Sequence, residues 1–253
     1  MTFGPVPNWD SFNVFPLEDI DSHIGNGVRL FHVHIPKTGG TSLNRVLQHD
    51  PLFLNGGHCF AQRGMRAKGH KPAEGRIWPT FSDKGFNPDL DKCISVVRNP
   101  YAWLYSYFNH IGARYWGLKK HYGWQGCVGY HKFESFADFV FHYCYGSGWH
   151  CPNLQSSMIG QYWDGRKFVN ITYLLRTEDL DQLMPLFASR TGLKRVVNGH
   201  YNRGQSSSYT SQYTDEMKLA VENKFSGFME KFGYNFEGVS QSQAKLFAAH
   251  PWQ

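Results

Sequence analysis

The residues best suited to chemistry stand in one run, Phe31-His-Val-His-Ile-Pro-Lys-Thr-Gly-Gly-Thr-Ser-Leu43. A short apolar stretch ends in Lys37, Thr38, Gly39, Gly40, Thr41 and Ser42, and a helical pattern begins at once. This layout predicts an anion cradle. Gly39 and Gly40 permit a tight turn and a close approach of backbone to ligand. The first N–H groups of the next helix point outward, where the helix dipole favours negative charge. Lys37 adds a full positive charge, and Thr38, Thr41 and Ser42 add hydroxyl donors. A Walker A loop is excluded. That motif sets its Lys after a Gly-rich run, whereas here Lys37 precedes the glycines and none of the five residues before it is Gly.

A second constellation lies in Cys93-Ile-Ser-Val-Val-Arg-Asn-Pro-Tyr-Ala-Trp-Leu-Tyr-Ser-Tyr-Phe108. Ile94–Val97 reads as a buried strand. Asn99 suits a helix N-cap and Pro100 the first helical position, and Leu104, Phe108 and Ile111 repeat at helical spacing. Arg98 therefore stands at a strand's C-terminal end, where a guanidinium can grip a phosphate with two donors. Ser106, eight positions on, lies on the following helix and can add another. Taken singly, Arg98 also fits a surface salt bridge and Ser106 a solvated helix position.

The loop Pro-Lys-Thr-Gly-Gly-Thr-Ser resembles the 5′-phosphosulfate loop of sulfotransferases that use 3′-phosphoadenosine 5′-phosphosulfate (PAPS). The Arg98/Ser106 pair resembles the 3′-phosphate motif of the same enzymes. The resemblance extends over most of the chain and is strongest to the branch holding Golgi carbohydrate sulfotransferases and small bacterial relatives. Val169-Asn-Ile-Thr-Tyr-Leu-Leu-Arg-Thr-Glu-Asp-Leu180 is similar to that branch's late strand and helix start. Tyr201-Asn-Arg203 and Phe232-Gly-Tyr-Asn-Phe236 are similar to its C-terminal pieces. The resemblance implies a single α/β domain over 1–253: a central parallel sheet flanked by helices, with a P-loop-like phosphate-binding loop. It implies transfer of a sulfuryl group from PAPS to a hydroxyl or amine of a carbohydrate or small molecule, with Lys37 stabilising charge on the leaving nucleotide and no metal. PAPS would be held by Lys37, Thr38, Gly39, Gly40, Thr41, Ser42, Arg98, Ser106 and Arg203. The segment Arg203–Ser208 corresponds to a region that closes over the nucleotide in similar enzymes, and it fits an ordinary linker equally well.

An acceptor hydroxyl has a high pKa, so a general base helps, and His is the usual type. Of thirteen His, His58 in Gly56-Gly-His-Cys-Phe-Ala61 is the candidate. Bacterial relatives carry a His-x-x-Ala element between the two phosphate motifs. His70 is the runner-up. His32 and His34 alternate on one strand and share a face, where packing or cofactor contact fits better than base chemistry.

The elements that must position these groups are legible as periodic runs. Strand Arg29–Ile35 feeds the loop, and Leu43, Val46 and Leu47 give the next helix its buried stripe. Phe133–Tyr143 reads as a helix, and Thr177 as the cap of another that Pro185 shortens. A last helix starts near Thr214 with Met217, Val221, Phe225, Phe228 and Phe232 on one side. Residues 1–28 read as an irregular surface arm, 50–90 as short helices and loops near the acceptor, and 112–131 as an insertion suited to substrate contacts.

The 253 residues suffice for one sizeable core, and 17% aromatic content is high. A net charge of +6 fits an anionic ligand. No run of five Lys/Arg and no recognised nucleic-acid module appears, so nucleic acid is not an expected partner. Five cysteines without a Cys-x-x-Cys predict reduced thiols, and the His142, Cys144, His150, Cys151 spacing matches no common zinc pattern. The chain has no apolar run long enough to span a bilayer and no signal pattern, which predicts a soluble, cytoplasmic protein. Two other readings remain open. A phosphoryl transferase would want a Walker A loop and a metal-holding carboxylate, and a non-catalytic glycan- or nucleotide-binding module would bind without turnover.

Overall fold

The structure, a computed structural model, describes residues 13–16, 28–35, 37–47, 50–55, 85–87, 90–111, 133, 135–145, 171–181, 184, 185, 189, 208–240 and 246–249. Its strands are β1 (Asn13–Pro16), β2 (Arg29–Val33), β3 (Phe53–Asn55), β4 (Asp91–Val97), β5 (Ile171–Arg176), β6 (Tyr234–Asn235), β7 (Gly238–Val239) and β8 (Leu246–Ala249). Its longer helices are α1 (Gly40–Leu47), α2 (Pro100–Ile111), α3 (Phe136–Tyr145) and α4 (Asp215–Phe232). Six strands form one sheet in the order β1-β8-β5-β4-β2-β3, and β6 and β7 form a small hairpin.

Strands β3, β2, β4 and β5 are parallel. From β2 the chain moves to β3 on one side, and β4 lies on the other side with β5 beyond it. Right-handed crossovers in opposite directions send the connecting helices to opposite faces. The side chains follow that rule. Phe31, Val33, Cys93, Val97 and Leu174 share one buried cluster with residues of α2, α3 and α4. His32 faces the other way, onto Asn44 of α1. A strand covered on both faces is largely apolar: β4 carries Cys93, Ile94, Val96 and Val97, all at most 1% exposed, and its buried Ser95 is satisfied by donating to the Val33 carbonyl at 2.8 Å.

Local chemistry sets the helix limits. The Asn99 side chain accepts from the Tyr101 N–H at 3.0 Å and opens α2. Ser135 does the same for α3 through the Asp138 N–H at 3.0 Å, so that helix starts at Phe136 rather than at Phe133. Thr214 caps α4 by accepting from the Met217 N–H, and Gly233 ends it in the left-handed region at φ 66°. The expected stripe of α4 is buried: Met217, Val221, Phe225, Phe228 and Phe232 are each 1% exposed or less. Each large apolar side chain buried there contributes about 1.5–3 kcal/mol.

The sheet is mixed rather than wholly parallel. β8 runs antiparallel to β5, and β1 antiparallel to β8. Residues 13–16 of the expected irregular arm are thus an edge strand whose partner is the far end of the chain. The short strand β3 also lies where only helices and loops were expected. Three residues are too few for an alternation to be read.

Cys93 and Cys144 are buried. No helix among the described residues is long and apolar enough to cross a membrane.

Candidate functional site

In open α/β sheets the crevice for ligands forms beyond the carboxyl ends of adjacent strands whose connections diverge. Here those strands are β2 and β4, and the loops leaving them carry Lys37 and Arg98. The two loops touch: the Arg98 guanidinium donates to the Lys37 carbonyl at 3.2 Å.

The β2–α1 loop turns through two left-handed residues, Lys37 at φ 66° and Gly39 at φ 86°. That conformation is easy for Gly and costs a non-glycine residue about 1–2 kcal/mol, so the loop holds Lys37 in a strained backbone state. Gly39 is also close-packed, since a Cβ there would stand 3.2 Å from both Leu180 and Thr177. The Gly39 carbonyl accepts from the Ser42 and Leu43 N–H groups at 2.9 and 3.3 Å. The N–H groups of Gly40 and Thr41 precede them at the open end of α1. Lys37, Thr41 and Ser42 are half-buried. Thr38 is different. It is fully buried and donates its hydroxyl proton to the Ile35 carbonyl at 2.8 Å, so its side chain shapes the loop instead of facing a ligand.

Beneath α1, His32 and His34 pack with ring centroids 5.6 Å apart. His32 Nδ1 is 2.5 Å from Asn44 Oδ1, and Asn44 Nδ2 is 3.5 Å from His34 Nδ1. With the amide in this orientation, His32 donates from Nδ1 and His34 accepts at Nδ1. The pair thus supports the helix start from below, as their shared face predicts. No signal in the sequence marks Asn44.

Two further loops brace the crevice. Thr177, at the end of β5, sets its hydroxyl within hydrogen-bond distance of the Thr38 carbonyl and 2.9 Å from the Val97 carbonyl. Its expected role as a helix cap is corrected, for Arg176 holds the cap position of the short 3-10 turn Thr177–Asp179 and Thr177 instead links three strand ends. Glu178 accepts from the Asn99 N–H at 3.0 Å through one oxygen and from the Tyr234 hydroxyl at 3.0 Å through the other. Asn99 donates its amide to the carbonyls of Asn235 and Gly238 at 2.8 and 2.9 Å. The Tyr209 hydroxyl donates to the Phe236 carbonyl at 2.6 Å.

Arg98 is half-buried. Burial pushes its guanidinium down from the ordinary value, and Glu178, Tyr234 and Tyr209 push it back up. It stays a cation, as arginine does in proteins. Burial in turn pushes the Glu178 carboxyl upward, opposed by the Asn99 N–H, Arg98 and Tyr234. Glu178 is exposed by area, and its two carboxylate oxygens are each held by one donor.

Of the residues expected from the sequence, Lys37, Thr38, Gly39, Gly40, Thr41, Ser42 and Arg98 come together around the ends of β2 and β4. Ser106 lies half-buried in α2, two turns from Arg98. His58, His70 and Arg203, with most of 50–90 and all of 112–131, lie outside the described residues. Glu178 is the main site residue that motif reasoning passed over. Its signal is position: like Arg98, it follows the C-terminal end of a parallel strand. Among the described residues no group of three His, Cys, Asp or Glu could hold a metal ion. The donor set of cations, helix N–H groups and hydroxyls suits an anionic ligand. No protein-family model matches the chain, and no curated protein matches it.

Proposed function

We propose that this protein is a sulfotransferase that moves a sulfuryl group from PAPS to a hydroxyl or amine of a carbohydrate or small-molecule acceptor. The observation that carries the reading is the meeting of the Pro-Lys-Thr-Gly-Gly-Thr-Ser loop with Arg98 at the diverging ends of β2 and β4. Lys37 and the N–H groups of Gly40 and Thr41 form the P-loop-like half that would hold the 5′ end, with Thr41 and Ser42 adding hydroxyls. Arg98 and Ser106 would hold the 3′-phosphate, and Arg203 would close over the nucleotide. Bound PAPS would supply the activated sulfuryl group. Lys37 sets a positive charge where charge gathers as the nucleotide departs, so that positioning and electrostatics carry most of the rate. No metal is needed for that role. His58 would take the acceptor proton.

The direct test is incubation with radiolabelled PAPS and a panel of glycans and metabolites, with labelled acceptor as the expected product. Calorimetry isolates the nucleotide site. Native protein should prefer adenosine 3′,5′-bisphosphate to AMP, and Arg98→Ala should weaken bisphosphate binding by about ten- to a hundredfold, since a charge-assisted bond is worth about 1.5–3 kcal/mol. Equal native affinity for the two nucleotides would reject the 3′-phosphate site.

A further inference from the structure

We propose that Glu178 is a positioning residue for the Arg98 anion site, clamping the β4–α2 turn through the Asn99 N–H and tying that clamp to the C-terminal hairpin through Tyr234. The inference rests on the reading of Arg98 as the 3′-phosphate ligand.

The need for such a clamp lies in the helix start. In a capping box the third helical residue, a Glu or Gln, accepts from the N–H of the cap residue. In α2 that position is Ala102, which has no acceptor. The cap N–H of Asn99 is nevertheless satisfied, by Glu178 at 3.0 Å, from a segment 79 positions away. Its second oxygen accepts from Tyr234 at 3.0 Å, and Tyr234 is 6% exposed. The clamped N–H belongs to the peptide that joins Arg98 to Asn99, so holding it fixes the plane from which the Arg98 side chain departs. Asn99 reinforces the link with its two bonds to the hairpin carbonyls. The Arg98 turn is therefore set jointly by the end of β5 and the β6–β7 hairpin. A shift of about 1 Å in such a donor is enough to cost a large share of its binding contribution.

The chemistry separates position from charge. In Glu178→Gln the amide oxygen still accepts from the Asn99 N–H, and the amide nitrogen can donate to the Tyr234 oxygen, because a phenol both donates and accepts. The clamp survives with one bond reversed and the negative charge gone. Glu178→Ala removes both bonds. Tyr234→Phe keeps the buried ring and removes one bond.

The experiment is calorimetry on the full chain with adenosine 3′,5′-bisphosphate and with AMP, read as the Kd for AMP divided by the Kd for the bisphosphate. A native protein that does not discriminate rejects the reading of Arg98 itself. Given native discrimination, Glu178→Ala should lower the ratio about tenfold and Tyr234→Phe about threefold, while Glu178→Gln stays within about twofold of native. A residue that only stabilises the fold would lower thermal stability and weaken both nucleotides in parallel, leaving the ratio alone. An unchanged ratio in Tyr234→Phe, and in Glu178→Ala if that variant folds, would overturn the proposal. So would a loss in Glu178→Gln as large as in Glu178→Ala, since charge rather than position would then be responsible.

Discussion

Gly40 shows how closely the candidate site is built at the level of single atoms. It opens α1, where Ala has the better helix propensity by up to about 1 kcal/mol. A Cβ at Gly40 would nevertheless stand 3.0 Å from His32 Cε1 and 3.1 Å from His34 Nδ1, closer than side chains pack without shifting. Both rings are held by Asn44, so neither can swing aside freely. Gly40→Ala should therefore destabilise the protein by about 1–3 kcal/mol, measured by urea unfolding. A gain in stability would show that propensity outweighs the contact. The other residue-scale prediction concerns the base. His58→Ala should cut kcat by about 10²–10⁴ and leave nucleotide affinity nearly unchanged, because a base touches the acceptor and not the donor. Near-native kcat on the true acceptor would reject that role and make His70→Ala the next variant to measure.

Among the elements, the start of α2 carries the most connections. Asn99 is 1% exposed and serves three partners at once, the Tyr101 N–H and the carbonyls of Asn235 and Gly238. The sequence identified it as a cap, which is one of those roles. The others depend on a hairpin more than 130 residues away, and no local pattern encodes them. The two roles separate by substitution. Asn and Asp cap helices about equally well. Asn99→Asp keeps the cap acceptor but turns a carboxylate oxygen toward two carbonyls that have lost their donor. It should destabilise the protein by at least as much as Asn99→Ala, about 2–4 kcal/mol from one cap and two buried hydrogen bonds. Equilibrium unfolding decides the matter, and native-like stability of Asn99→Asp would mean that capping alone matters.

Among the described residues, aromatic rings gather in the layer where α2, α3 and α4 cover the sheet. Tyr101, Tyr213 and Phe236 meet edge to face with centroids 5.0–5.8 Å apart, and Trp103 stacks on Tyr107 at 5.5 Å. Enclosure raises the pKa of several tyrosine hydroxyls in this fold. Burial pushes Tyr173 and Tyr209 up to about 12, and Tyr101, Tyr213 and Tyr234 upward as well. A phenol whose folded value exceeds its ordinary value of about 10 favours the folded state fully below that pH. The contribution is lost as pH rises from about 10 through about 12, where the unfolded chain ionises first. Absorbance of tyrosinate should therefore show a late class of tyrosines that ionise together with unfolding, while stability falls over the same interval. Smooth titration of every tyrosine near pH 10 with the fold intact would contradict this burial.

The sequence by itself determined the groups whose meaning is local. The tight turn from Lys37 to Ser42, the strand ending near Arg98, the Asn99 and Thr214 caps and the stripe of α4 all follow from neighbours within a few positions, where steric and hydrogen-bonding rules act directly. Tertiary structure alone decided which strand ends meet. That Arg98 reaches the Lys37 carbonyl, that Thr177 links three strands instead of capping a helix, and that Glu178 completes the cap of α2 all depend on the β3-β2-β4-β5 order. The edge pair β1 and β8 joins the two ends of the chain. The physical reason is that a buried donor or strand edge requires a partner but does not specify its place in the sequence, and only the folded sheet brings the distant partner within hydrogen-bond distance.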